Sequence, residues 1–161
     1  MKWFFGCDPG WTNLAYAFIS EDDDLITGVL VPKDIKGACL TPFLVHDNIG
    51  PKDTIVSAAM ERFVYFKGVH NPDSERILMV TGQMQFWLAR EFNQVPMMFR
   101  SYDWKNTLSR HLFKKGFRNP SESLDKEFSI AAAEFIFEQE FDTDHEADAA
   151  CLAYLAKVMA Q

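Results

Sequence analysis

Residues 2–8, Lys-Trp-Phe-Phe-Gly-Cys-Asp, constrain this chain more than any other stretch. Between Trp3 and Cys7 there is no polar position, so the run reads as a buried strand. It ends on a carboxylate, Asp8, and Pro9-Gly10 then turns the chain. Residues 13–20 read as a second strand and 25–31 as a third, joined through the acidic turn Glu21-Asp22-Asp23-Asp24 as a hairpin. A charge at the end of a buried strand is costly unless something pairs with it. The fold must therefore bring a partner to Asp8.

The remaining pattern alternates between the two regular periods. Residues 33–52 hold Pro42, Gly37, Gly50 and Pro51, which leaves room for a short helix at most. Residues 53–60 read as another buried strand, with Glu61 at its end. Helical spacing of Ile77, Val80, Met84, Trp87, Leu88 and Phe92 predicts a helix over 74–93. A short strand over 95–100 precedes a helix over 101–115 and a loop over 116–121. Two more helices, 123–139 and 145–159, complete the chain. An opening antiparallel meander followed by alternating strands and helices predicts an α/β fold. It would be a mixed sheet of about five strands, flanked by helices, in a single domain over 1–161. Ligands of such sheets lie near the strand ends.

Composition sets outer limits. With 161 residues, 48% of them apolar, the chain can bury a real core. No apolar run approaches the roughly 20 residues that span a bilayer, and no signal-peptide pattern opens the chain. Three scattered cysteines, Cys7, Cys39 and Cys151, suit an intracellular, reducing compartment and give no zinc spacing. The net charge of −7 taken alone opposes a nucleic-acid partner. That average hides a division. Arg100, Lys105, Arg110, Lys114, Lys115 and Arg118 face one acid, Asp103, whereas the stretch from Glu122 to Asp148 is strongly acidic around Lys126. Simple solvation of both stretches explains the division equally well until a motif is considered.

The chemistry rests on acids at element ends. Asp8 and Glu61 end two strands, and His145 and Asp148 lie three residues apart in the first turn of the last helix, on one face. Each has an ordinary explanation alone. Asp8 suits a turn, Glu61-Arg62 a surface pair, His145 a cap, and acids at a helix start suit the helix dipole. Together they form a mixed oxygen and nitrogen donor set suited to Mg²⁺ or Mn²⁺. Two such ions about 3.5–4 Å apart can activate a water and steady the leaving oxygen in phosphodiester cleavage.

Five segments resemble, in order, the RuvC-type Holliday junction resolvases of the RNase H-like nucleases. They are FFGCDPGWTNLAYAFI, IVSAAMERFVYF, VPMMFRSYDWKNTL, SLDKEFSIAAAEFIF and HEADAACLAYLA. The resemblance covers nearly the whole chain and implies an RNase H-like fold. It also implies a metal-dependent, structure-selective endodeoxyribonuclease that makes paired cuts in four-way DNA junctions. Asp8, Glu61, His145 and Asp148 match the metal positions, for two Mg²⁺ per site with Mn²⁺ able to substitute. Lys105 and Lys126 match two lysines near the scissile phosphate. The strand-end loop carries Arg62, Phe63, Tyr65 and Phe66, aromatics available to stack on unpaired bases. With them, Arg110, Lys114, Lys115 and Arg118 complete the expected DNA contacts. A homodimer suits a two-fold junction, and Met84, Phe86 and Trp87 are candidates for its interface, although Trp87 suits the core better. Three departures stand out, the first being Val64 where the family places an aromatic wedge a few residues past the Glu. The segment before Asp53 is short for the family, and no glycine-rich lead precedes Lys126.

Three other readings remain open. A related RNase H-like nuclease would cut flaps, other branched DNA or RNA. The stretch DPGWTN also resembles the phosphate loop of actin-like ATPases, which need two such subdomains. A binding module without catalytic metals is the third.

Overall fold

The computed structural model describes residues 1–64, 73–121 and 123–161. Within them the elements run β1 (Lys2–Asp8), β2 (Leu14–Ser20), β3 (Leu25–Leu30), α1 (Ile35–His46), β4 (Thr54–Glu61), α2 (Ser74–Phe92), β5 (Met97–Phe99), α3 (Ser101–Phe113), α4 (Lys126–Phe137) and α5 (Asp144–Ala160). The five strands form one mixed sheet in the order β3-β2-β1-β4-β5. The first three are antiparallel neighbours, and β1, β4 and β5 run parallel. The expected α/β architecture is present. The helix α1 is longer than its Pro and Gly content suggested, at 12 residues. The Asp34 side chain caps it by accepting from the Gly37 N–H, and burial of Ala38, Thr41, Pro42 and Val45 holds Pro42 inside it.

The sheet is covered on both faces, and strand alternation sorts the side chains between them. Trp3, Phe5 and Cys7 of β1 join Leu14, Tyr16 and Phe18 of β2 under α1 and α2. Phe4 of β1 joins Ala15, Ala17 and Ile19 of β2 under α3, α4 and α5. By the same parity Gly6 and Asp8 point to the second face. There α5 lies directly on β1. A Cβ built on Gly6 would fall 2.1 Å from the Ala149 carbonyl oxygen and 2.3 Å from the Ala153 nitrogen. Only glycine permits that approach.

Met84, a candidate for a dimer surface, is instead a core residue at 0% exposure, and Trp87 lies in the core as expected at 4%. Trp87 meets Phe5 edge-on at 5.6 Å, so the apolar face of α2 is spent against the sheet. Phe86 projects outward, 63% exposed. The three cysteines are unpaired, and no described helix is long and apolar enough to cross a membrane.

Candidate active site

The site is built by strand parity and helix starts. Gly6 pairs with Ala59 and Cys7 with Met60 in the parallel β1–β4 ladder, so Asp8 and Glu61 end neighbouring strands at the same edge. Because β1 and β4 run parallel, both carboxylates fall at the carboxyl edge of the sheet. The Thr143 side chain caps α5 by accepting from the Glu146 N–H, which starts that helix at the same edge. Its first turn then presents His145 and Asp148 toward β1.

The contacts follow from this placement. His145 Nδ1 lies 2.9 Å from Asp8 Oδ2. Trp104 Nε1 donates to Glu61 Oε2 at 2.9 Å. Lys105 Nζ lies 3.5 Å from Asp148 Oδ1 and 3.4 Å from the Asp125 carbonyl oxygen. Lys105 and Asp148 are both buried, at 6% and 9% exposure. Lys126 reaches Asp144 Oδ2 at 3.0 Å but is otherwise solvated, its side chain 77% exposed. So Asp8 meets His145, Asp148 meets Lys105, Glu61 lies near enough to Asp8, Asp148 and Lys105 to feel their charges, and Lys126 stands on the rim.

The electrostatics mark an excess of negative charge. Burial pushes the Glu61 carboxyl up to about 7, with Asp8 and Asp148 adding to the rise and the Trp104 hydrogen bond opposing it. Burial likewise lifts Asp148 to about 6, against the pull of Lys105. The hydrogen bond to Asp8 raises His145 above the ordinary imidazole value. Carboxyls behave this way when like charges share a poorly solvated place without enough positive charge.

The donor chemistry fits a hard divalent cation. Asp148 Oδ1 is buried and faces the Lys105 ammonium at 3.5 Å with no closer hydrogen-bond donor among the described residues, so a divalent cation bound there would share that oxygen with the lysine. The groups stand in pairs. No three His, Cys, Asp or Glu among the described residues form a ready-made cage. The His145–Asp8 contact would have to open for both to bind the same ion.

The other expected contact residues are more dispersed. Arg62 is exposed just past Glu61, and its N–H donates to the Phe99 carbonyl at 2.6 Å. Phe63 is half-buried and lines, with Arg62, Leu78 and Met98, a cavity of about 530 Å³. Tyr65 and Phe66 lie outside the described residues. Arg110, Lys114, Lys115 and Arg118 gather at the end of α3 away from Lys105, about 14 Å along the helix from Lys105 to Lys114. Lys115 Nζ donates to the Tyr154 hydroxyl at 2.7 Å, and the Arg118 guanidinium lies 4.5 Å over Phe113.

Sequence reasoning passed over three contributors. Trp104 was legible only as a core position, yet a fully buried indole N–H needs an acceptor and here finds Glu61. Asp125 caps α4 by accepting from Glu127 N and Phe128 N, and its own carbonyl takes Lys105. Asp144 holds Lys126. No spacing rule links these pairs, which are 43, 20 and 18 residues apart in the chain.

No protein-family profile and no curated protein matches the sequence. Solved structures do match. A structure of T. thermophilus RuvC in complex with Holliday junction substrate superposes with a TM-score of 0.65, covering 97% of this chain and 93% of that one. The chain has the RuvC fold. A second Thermus thermophilus RuvC structure agrees, at a TM-score of 0.61 over the same shares. Sequence identity is only 15% and 16%, so the likeness to RuvC is one of backbone architecture.

Proposed function

We propose that this chain is a metal-dependent endonuclease acting on branched DNA, with the four-way junction as its main substrate. The placement of three carboxyls, Asp8, Glu61 and Asp148, with His145 at one sheet edge supports this reading, because burial and mutual repulsion raise Glu61 and Asp148 and a cation would relieve both. The RuvC fold supports it, since one neighbour of that fold was solved with a Holliday junction substrate.

Asp8, Glu61, His145 and Asp148 would hold the metal, two Mg²⁺ per site with Mn²⁺ as substitute. When bound, such ions supply an activated water and positive charge at the leaving oxygen. The chain's own groups do the rest. The Trp104 indole fixes one Glu61 oxygen, leaving the other free to coordinate. The buried Lys105 ammonium steadies Asp148 and lowers the negative charge that would repel a phosphate. Before any metal binds, His145 orients Asp8. The long, solvated Lys126 can exchange Asp144 for a DNA phosphate. Arg62 and Phe63, with Tyr65 and Phe66 beyond them, supply the strand-end contacts. Arg110, Lys114, Lys115 and Arg118 would hold a duplex arm running along α3. A homodimer would offer two such sites to a two-fold junction.

The test is cleavage of junction, flap, duplex and RNA substrates with Mg²⁺, by the wild type and Asp8→Asn. Junction cleavage that disappears in the variant is expected. Preference for flaps or RNA would move the chain to a related RNase H-like nuclease. Metal-dependent cleavage surviving in Asp8→Asn would sink the site itself.

A further inference from the structure

The helix α5 carries two of the four site groups in its first turn and runs antiparallel to β1. Its bed on the sheet combines small residues with two larger ones, Phe4 and Ile19. Gly6, Ala15, Ala17 and Ala59 lie beneath it, and Ala149, Ala150, Ala153 and Ala156 of the helix are fully buried. Such small contacts set how near the helix lies, and the larger Phe4, Ile19, Leu152 and Leu155 packed beside them supply no directional bond to fix the helix along its axis.

One side chain breaks the pattern at the far end of the helix. Lys157 is 8% exposed. Its Nζ donates to the Ser20 carbonyl at 2.8 Å, the Glu21 carbonyl at 3.0 Å and Asp23 Oδ1 at 2.9 Å, and it lies 5.6 Å from the Phe4 ring centroid. Three acceptors use all three ammonium donors. A buried ammonium tolerates little departure from such an arrangement, because each lost partner leaves charge uncompensated. The acceptors all belong to the β2–β3 turn, which is itself fixed. Ser20 Oγ accepts from the Asp22 and Asp24 N–H groups, and Asp23 sits in the left-handed region at φ 68°.

The two ends of the helix match the sheet in length. From His145 to Lys157 the helix rises about 18 Å. From Trp3, which pairs with Ser20, to Asp8 the strand advances about 17 Å. Lys157 therefore grips one end of a rigid rod whose other end carries His145 and Asp148.

We propose that Lys157 is a positioning residue: its ammonium fixes the axial register of α5 on the sheet and so sets where His145 and Asp148 meet Asp8 and Glu61. A misplacement of about 1 Å at a reacting centre costs on the order of 10²-fold in rate, so such a register pin has functional weight. Its consequence for metal binding rests on the metal-site reading above; its consequence for the His145–Asp8 contact does not.

Lys157→Met keeps the stem and removes the ammonium. Leu88→Ala serves as comparator, since it empties the core on the opposite face of the sheet. Two readouts are taken at a temperature where each protein is folded: the His145 ring resonances of metal-free protein by NMR, and Mn²⁺ affinity by calorimetry. Lys157→Met is expected to move the His145 resonances and to weaken Mn²⁺ binding tenfold or more. Leu88→Ala is expected to leave the resonances in place and the affinity within twofold. Asp23→Gly, which suits the positive φ and removes one acceptor, should move the same resonances by less. Unmoved resonances in both Lys157→Met and Asp23→Gly, or equal movement in Leu88→Ala, overturn the proposal. If Lys157→Met does not fold, Asp23→Gly decides alone. Wild type that takes up no Mn²⁺ removes the metal-site reading and leaves the resonances to judge the pin.

Discussion

The two faces of the sheet are packed by opposite means. Under α1 and α2 the core is large and aromatic. Phe18 lies 5.1 Å from Phe5 and 6.1 Å from Trp3 between ring centroids, and Phe5 meets Trp87. Under α5 the same strands present Gly6, Ala15, Ala17 and Ala59 beside only two larger residues, Phe4 and Ile19. Bulky rings bury the most apolar area per residue and so contribute most to stability. Small residues contribute less area but let two backbones approach closely. The face that carries the site is therefore the one packed for position, and the opposite face is the one packed for stability. The difference is imposed by alternation, since Phe5 and Gly6 are adjacent in the chain and point to opposite sides.

The largest expected effect separates chemistry from stability on the positioned face. Glu61→Gln should lower junction cleavage by about a thousandfold, or about 4 kcal/mol of barrier. Its melting temperature at pH 8 should hold or rise, because a carboxyl with a pKa pushed up to about 7 is disfavoured when ionised there. A matching fall in stability would mean that Glu61 is structural.

Gly6→Ala tests the comparison directly. The added Cβ meets backbone on α5, so it should cost about 3 kcal/mol or more and also reduce cleavage where the protein is still folded. Phe18→Leu, across the sheet, should cost about 1–2 kcal/mol and leave folded-state cleavage unchanged. Thermal melts beside cleavage rates decide it. Equal loss of activity in both would end the distinction between the faces.

Divalent metal should then act through the positioned face alone. Glu61 and Asp148 have folded values raised above 4.5 and 3.8. Their stabilising contribution is full below those unfolded values and is lost as pH rises through about 6 to 7. A cation replaces that proton. Mg²⁺ at a hundred times its Kd is worth about 2.7 kcal/mol, or roughly 5–10 °C. The gain measured by calorimetric melting should be larger at pH 8 than at pH 6. A gain that shrinks with pH would contradict this assignment.

The smallest effect belongs to the aromatic face. Asp53 binds the N-terminal ammonium at 2.7 Å and accepts from Trp3 Nε1 at 3.0 Å, and these bonds hold its carboxyl down at about 2. A depressed carboxyl stabilises above its unfolded value of 3.8 and loses that contribution as pH falls toward 2. The difference in melting temperature between wild type and Asp53→Asn should thus be present at pH 7 and narrow between pH 4 and 2. Cleavage at neutral pH should be unaffected in folded protein.

Much of the fold was legible because period and punctuation agree. The apolar run ending at Asp8, the acidic hairpin turn and the helical spacing of 74–93 each specify their own element. The boundaries were less so. The strand over 95–100 contracts to Met97–Phe99, and the helix expected from 123 starts at Lys126. Asp125 is the reason for the second: its side chain accepts from Glu127 N and Phe128 N and is bonded by Ser121 and Ser123, so the cap falls there. Met84 misled, while Trp87 did not, because helical periodicity shows that a face is apolar without showing what covers it.

For the site, the sequence by itself determined the ligand candidates. An acid at the end of a buried strand, a second at the end of another, and a His and Asp one turn apart at a helix start are local patterns. Tertiary structure alone decided which cations and donors attend them. Trp104 reaches Glu61, Lys105 reaches Asp148 rather than solvent, and Lys126 stays on the rim beside Asp144. It also decided that Lys157 grips the β2–β3 turn. Local patterns are set by neighbours within a few residues, whereas these contacts join segments far apart in the chain, some through α5 crossing Gly6 and one through α3 reaching the end of β4, and no spacing along the chain encodes them.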